Sequence, residues 1–177
     1  QSKGKDSQAA DELEHALEAG FTHPALYFTL GMLRSSEDRL ESALRHLSHA
    51  FRHNDFNLAA RLLMGQINQK LGRWQQASIE YLEALKLADS EVVPAENADE
   101  IRQMYEPLIE AQSAQGAQTD EEAFKRLCDN VNSLLMRKNW RDHPYKSREQ
   151  MPKSDVPMPI AEIILQAQSS QVLEAIN

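Results

Sequence analysis

The chain has 177 residues, of which 41% are hydrophobic and 6% aromatic, and its formal net charge at pH 7 is −8. An acidic chain lacks the basic surface that binds nucleic acids or anionic membranes, and no stretch reaches the roughly 18 apolar residues of a membrane span, so we expect neither partner. The single cysteine, Cys128, excludes a disulfide within the chain and fits a reducing compartment, for which we expect the cytoplasm.

The first half of the chain predicts a series of helices. Apolar residues at helical spacing predict a helix over residues 6–19, which ends at Gly20. Pro24 opens the second helix, which runs to about residue 36, because a missing N–H needs no partner in the first turn. A third helix is predicted over residues 38–53.

The next two helices repeat this scheme. One helix is lined by Leu58, Leu62, Leu63 and Ile67 and is broken by Gly72. Its partner is lined by Trp74, Ala77, Tyr81, Ala84 and Leu85. Subtracting 34 from these residue numbers superimposes one pair on the other, with Gly65 on Gly31, Ala77 on Ala43 and Ala84 on Ala50. A fixed period of this length is typical of a solenoid in which each unit is one helix pair.

These pairs resemble tetratricopeptide repeats, whose pattern is W-x2-L-G-x2-Y, then A-x3-F, then Ala and Pro. The matching residues are Tyr27, Leu30, Gly31, Ala43, Leu47 and Ala50 in the first unit, and Met64, Gly65, Ala77, Tyr81 and Ala84 in the second. The chain departs from the pattern where Arg61 replaces the Trp and where Arg34 and Asn68 replace the Tyr. The resemblance implies an all-α fold, a right-handed α-solenoid with a half unit at 6–20 and units at 24–57 and 58–90.

The small residues of the pattern have a physical purpose. Gly31 and Gly65 allow the paired helix to approach closely, and the repeated alanines lie where a larger side chain would push the helices apart.

Beyond residue 90 the register loosens. Pro94 precedes a long helix that ends at Gly116, and Pro107 within it predicts a kink or a late start. The capping box at 119–122 then opens a helix through Leu135. We interpret residues 94–138 as a degenerate third unit, which completes a helical repeat domain over residues 1–138.

The last part of the chain differs in kind. Residues 139–159 combine four prolines with basic residues and predict an extended linker without regular structure. Apolar periodicity returns in residues 160–177, which predict a terminal amphipathic helix. This helix folds back onto the repeats, or is covered by a following segment or by another chain.

The resemblance implies a non-enzymatic scaffold or adaptor that binds another protein or peptide on the concave face of the array, and we expect the chain to be part of a longer repeat protein. The family's inward-facing places fall on Phe28, Met32, Ser35, Leu62, Gln66, Gln69, Lys70, Leu108 and Gln112. Some members of the family clamp a terminal carboxylate with Lys, Asn and Arg at inward-facing places that are occupied here by Phe28, Met32, Leu62 and Gln66. The missing clamp argues against the C-terminal tails of chaperones as the ligand.

Two alternatives concern the end of the chain. The terminal helix provides an apolar surface at Ile160, Ile164 and Leu173 that is suited to self-association, which would make the chain a homodimer. The second alternative is autoinhibition by the linker. Because residues 141–159 are tethered to the repeats, they can occupy the chain's own concave groove at an effective concentration of about millimolar.

The sequence gives little support for a metal site or a catalytic site. His46, His49 and His53 share one side of a helix and offer a hypothetical metal site, but we favour a solvated face. His143 beside Asp142 resembles a general base, yet no nucleophile accompanies it, and the neighbouring Trp140 and Tyr145 are better explained as aromatic anchors. We predict Cys128 to be a small buried hydrophobe, and we expect no catalytic residue, metal or cofactor.

Overall fold

The structure, a computed structural model, describes residues 2–114 and 121–135. These residues form helices and no strand, which confirms the all-α prediction. The helices are α1 (Ser2–Glu18), α2 (Pro24–Ser36), α3 (Leu40–Ala50), α4 (Asn54–Lys70), α5 (Trp74–Val92), α6 (Ala98–Ala114) and α7 (Glu121–Leu135), with one 3-10 turn at Ala95–Asn97. Residues 119 and 120 of the predicted capping box, the linker and the terminal helix lie outside the described residues.

Each helix packs on its neighbour in the chain as far as α6, and the most extensive contacts join α2 to α3 and α4 to α5. The two predicted helix pairs are therefore present. Within residues 2–114 and 121–135, no helix is long and apolar enough to cross a lipid bilayer.

The structure defines three helix boundaries that the sequence predicted only approximately or left open. Helix α3 is shorter than predicted, since Asp38 adopts a left-handed conformation with φ 63° before the helix begins at Leu40. Helix α4 begins at Asn54, and Asp55 lies in its first turn, where a carboxylate complements the helix dipole. Helix α6 continues through Pro107 from Ala98, so the late start suggested by that proline does not occur.

The turn within each helix pair repeats at the 34-residue period. The Arg39 N–H donates to the Arg34 carbonyl at 2.8 Å, and the Arg73 N–H donates to the Asn68 carbonyl at 2.9 Å. The left-handed residue preceding each of these donors is Asp38 in one turn and Gly72, with φ 70°, in the other. The 34-residue period found in the side chains is therefore also present in the backbone hydrogen bonds of these two turns.

The two interior glycines lie where the paired helices approach most closely. A Cβ atom on Gly31 would come within 2.5 Å of Leu47, and one on Gly65 within 2.6 Å of the Tyr81 ring. Real Cβ atoms do not reach such distances, so any larger residue would force the helices or side chains to move. Alanines occupy the other tight places and are fully buried, as the pattern predicted: Ala43, Ala50, Ala77 and Ala84.

Buried Arg34 joins α1 to the first helix pair. Its side chain, 1% exposed, lies 2.8 Å from Asp11 and 2.7 Å from Glu14 on α1, and 2.8 Å from Glu37. Removing any of these carboxylates would weaken the compensation of a buried charge, which is costly to leave unpaired. The departure from the repeat pattern at this position therefore has a structural role.

We predict that Gly31→Ala and Gly65→Ala each lower the free energy of unfolding by about 1–3 kcal/mol, because the added methyl overpacks the contact. In a Leu47→Ala background, where the obstructing side chain is gone, Gly31→Ala should become neutral or stabilising through its better helix propensity. Urea titrations followed by circular dichroism measure all four, with exposed Gln103→Ala as the control. An equal cost of Gly31→Ala in both backgrounds would contradict the close contact.

The Arg34 cluster makes stability depend on pH. Hydrogen bonding to Arg34 lowers the pKa of Glu14 below its ordinary value near 4.5. A lowered pKa in the folded state stabilises the fold above pH 4.5, and this contribution is lost as the pH falls through the folded-state pKa. Between pH 7 and acidic pH, the parent chain should therefore lose more stability than Glu14→Gln. Exposed Glu18→Gln serves as the control and should follow the parent.

Candidate partner-binding face

The candidate residues on the two pairs occupy equivalent places. Phe28, Met32 and Ser35 on α2, here called the α2 stripe, correspond after 34 residues to Leu62, Gln66 and Gln69 on α4, here called the α4 stripe. In a helix, residues three and four apart lie on one side, so each stripe is a continuous surface. The two stripes differ in what lies against them.

Helix α7 lies against the α4 stripe. The Gln69 side-chain amide donates to the Asp129 carboxylate at 2.8 Å, and the Gln66 amide donates to the Asn132 carbonyl oxygen at 3.3 Å. Residue numbers rise along α4 as they fall along α7, so the two helices run antiparallel. Leu62 packs against the hydrophobic cluster that contains Leu127 and Val131.

Gln69 also connects the stripe to the core. Its side-chain oxygen accepts a hydrogen bond of 2.7 Å from the Tyr81 hydroxyl, while its nitrogen donates to Asp129. Burial raises the pKa of Tyr81, so its hydroxyl stays protonated and remains a donor. One amide thus links α5, α4 and α7, and both of its polar atoms are satisfied.

The apolar side of α7 completes the core. Among residues 121–132, four are buried, at 7% exposure or less: Phe124, Leu127, Cys128 and Val131. Burial, followed by the nearby Asp129 carboxylate, raises the pKa of the Cys128 thiol to about 12. The predicted burial of Cys128 is confirmed.

The α2 stripe remains partly exposed. Met32 is 51% exposed, Ser35 is half-buried, and Phe28 is half-buried against Phe56 of α4 with ring centroids 5.4 Å apart. The sole charged residue of α2 is Arg34, which is buried. The exposed surface of α2 is therefore uncharged, with one large hydrophobic side chain in water.

The remaining candidates lie elsewhere. Leu108 and Gln112, predicted on the same face, are 7% and 6% exposed in α6, so neither offers surface to a partner in this conformation. Helices α6 and α7 both pack on α5. Lys70 is exposed in the last turn of α4.

The three histidines do not face a common point. His46 lies 3.5 Å from Glu14, and burial lowers its pKa. His49 stacks on Tyr27 with ring centroids 4.8 Å apart, and His53 is exposed before α4. In the described part of the chain, no group of three His, Cys, Asp or Glu residues could hold a metal ion. Trp140, Asp142, His143 and Tyr145 lie outside it.

Sequence reasoning did not single out Asp129 and Asn132. They flank the apolar side of α7 three residues apart, a pattern that marks them as polar edges of a packed helix. Their partners on α4 were not predictable, because the 34-residue register ends before α7.

Comparison with known proteins finds no matching family model, no similar curated protein and no similar solved structure. The case for a function therefore depends on the geometry of the two stripes.

The single cysteine allows α7 docking to be measured. We predict that native Cys128 reacts with a maleimide at least about a hundredfold more slowly than in denaturant, because its thiol is buried and protonated. Gln69→Ala removes the hydrogen bonds to both Tyr81 and Asp129. Loss of the one that reaches α7, about 1 kcal/mol, should raise the native rate about fivefold. Neighbouring Lys70→Ala should leave the rate unchanged. A native rate close to the denatured rate would contradict the docked position of α7.

Proposed function

We propose that this chain is a non-enzymatic scaffold, a short solenoid of tetratricopeptide-like helix pairs, which binds a helical segment of a partner protein on the α2 stripe. The main support is the difference between the α2 stripe and the α4 stripe, which occupy equivalent places in their helix pairs. The α4 stripe is covered by α7, whereas the α2 stripe leaves Met32 51% exposed.

The repeat supports a helix as the ligand. Because the two stripes occupy the same place in their helix pairs, a segment like α7 fits the geometry of either one. Helix-in-groove recognition uses apolar anchors three and four residues apart, and this spacing matches α7, with its buried Phe124, Leu127, Cys128 and Val131.

The composition of the α2 stripe specifies the ligand further. Met32 is unbranched and adaptable, and Phe28 supplies an aromatic wall beside it. With no charge on the exposed surface of α2, a partner gains nothing from charged anchors and would have to desolvate them. The preferred segment therefore presents aliphatic side chains with small or amide-bearing neighbours.

We predict that Met32→Glu abolishes partner binding, while Met104→Glu on α6 does not. Met104 is 43% exposed and provides a matched methionine away from both stripes. Proteins retained from a lysate of the source organism are compared by quantitative mass spectrometry, with folding of each variant verified by circular dichroism. A partner retained by the parent and by Met104→Glu should fall at least about tenfold with Met32→Glu. Equal retention by the two variants would exclude the α2 stripe as the binding surface.

A further inference from the structure

We infer that the chain carries its own occupant for the α2 stripe: residues 160–177 dock there and cover Met32 until a partner displaces them. The inference concerns regulation of the same surface and rests on the proposed function only in treating that surface as a docking site. Residues 160–177 lie outside the described residues.

The α2 stripe is an incomplete interface. Met32 has half its surface in water, while its equivalent on α4, Gln66, contacts Asn132 of α7. Removing apolar surface from water is favourable by roughly 25 cal/mol per Å². The stripe therefore gains free energy from any helix that covers it without burying a charge.

The segment has the composition that the stripe requires. Its only charged residues are Glu162 and Glu174, and the rest are aliphatic, amide-bearing or small. Its large aliphatic residues are Ile160, Ile163, Ile164, Leu165, Val172, Leu173 and Ile176. Ile160, Ile164 and Ala167 recur at helical spacing, so one side of the predicted helix matches an uncharged, methionine-bearing surface.

The composition of residues 139–159 argues against this stretch as the occupant of the α2 stripe. Residues 139–159 contain four prolines together with Arg141, Lys146, Arg148 and Lys153. Prolines prevent a continuous helix, and buried lysine or arginine heads would find no partner on the uncharged stripe. This stretch instead serves as the tether between α7 and residues 160–177.

The position of α7 makes the docking geometrically simple. Helix α7 contacts α4, and α4 contacts α2, so with packed helices about 8–10 Å apart the stripe lies about 20 Å from α7. An extended chain covers about 3.3 Å per residue, so residues 136–159 reach the stripe with length to spare. A tether of this kind gives an effective concentration of about millimolar, which favours docking within one chain over docking between copies.

The test places the photo-crosslinking residue p-benzoylphenylalanine at position 32 of the full chain and, as the matched control, at position 104. Irradiation of an equal mixture of isotope-labelled and unlabelled protein, followed by digestion and mass spectrometry, identifies the partner of each probe. The expected product joins position 32 to residues 160–177 of the same isotope composition. The probe at position 104 should give no such product.

A second measurement uses the native methionines. Met32 and Met104 are oxidised by dilute peroxide in one reaction, and their rates are compared by mass spectrometry. In the parent chain Met32 should react more slowly than Met104, although the described residues leave it more exposed. Ile164→Asp should raise the Met32 rate to at least that of Met104, while Gln166→Asp, on the opposite side of the predicted helix, should not. Circular dichroism confirms that both variants fold.

Several results would overturn the inference: a crosslink of mixed isotope composition, which indicates docking between copies; a crosslink from position 32 to another segment; no crosslink; or a Met32 rate that Ile164→Asp does not change. None of these decides the proposed function, which is tested by partner retention with Met32→Glu. Conversely, an intramolecular crosslink without any retained partner would support the inference and contradict the proposed function.

Discussion

The close contact between a glycine of one helix and a large residue of its partner sets the spacing of both helix pairs. A Cβ atom at Gly31 or Gly65 would lie about 2.5–2.6 Å from Leu47 or Tyr81, so the helices are as near as their backbones and these side chains permit. Buried alanines on α3 and α5 keep the same separation along the pair. Because both pairs share this spacing, their outward-facing positions also correspond, and the α2 and α4 stripes become comparable surfaces.

The sequence was most informative where geometry leaves one acceptable residue. Glycine at the close contacts and alanine at the tight positions recur at a fixed period, so the helix pairs could be predicted. Helix boundaries were less accurate because polar residues suit both a helix start and a turn: Asp55 lies in the first turn of α4, while Asp38 adopts the left-handed conformation that Gly72 adopts in the second pair.

The environment of the candidate face could be predicted only in part. The α2 and α4 stripes follow from the repeat, but the position of α7 does not, because the contacts of Gln66 and Gln69 join residues far apart in the chain. Leu108 and Gln112 illustrate the same limit. Placing them on the face required the third unit to continue the pairing, whereas α6 and α7 both pack against α5.

The absence of charge on the exposed surface of α2 follows from the way α1 is attached. Arg34 is the one charged residue of the helix, and it is drawn into the contact with α1 by Asp11 and Glu14, with Glu37 completing the cluster. Hydrogen bonding to these carboxylates raises the pKa of Arg34, so the guanidinium stays charged while it is buried. A residue that would otherwise bring charge to α2 thus fixes the neighbouring helix. The interaction that holds α1 in place therefore also leaves the α2 stripe suited to an uncharged, apolar ligand.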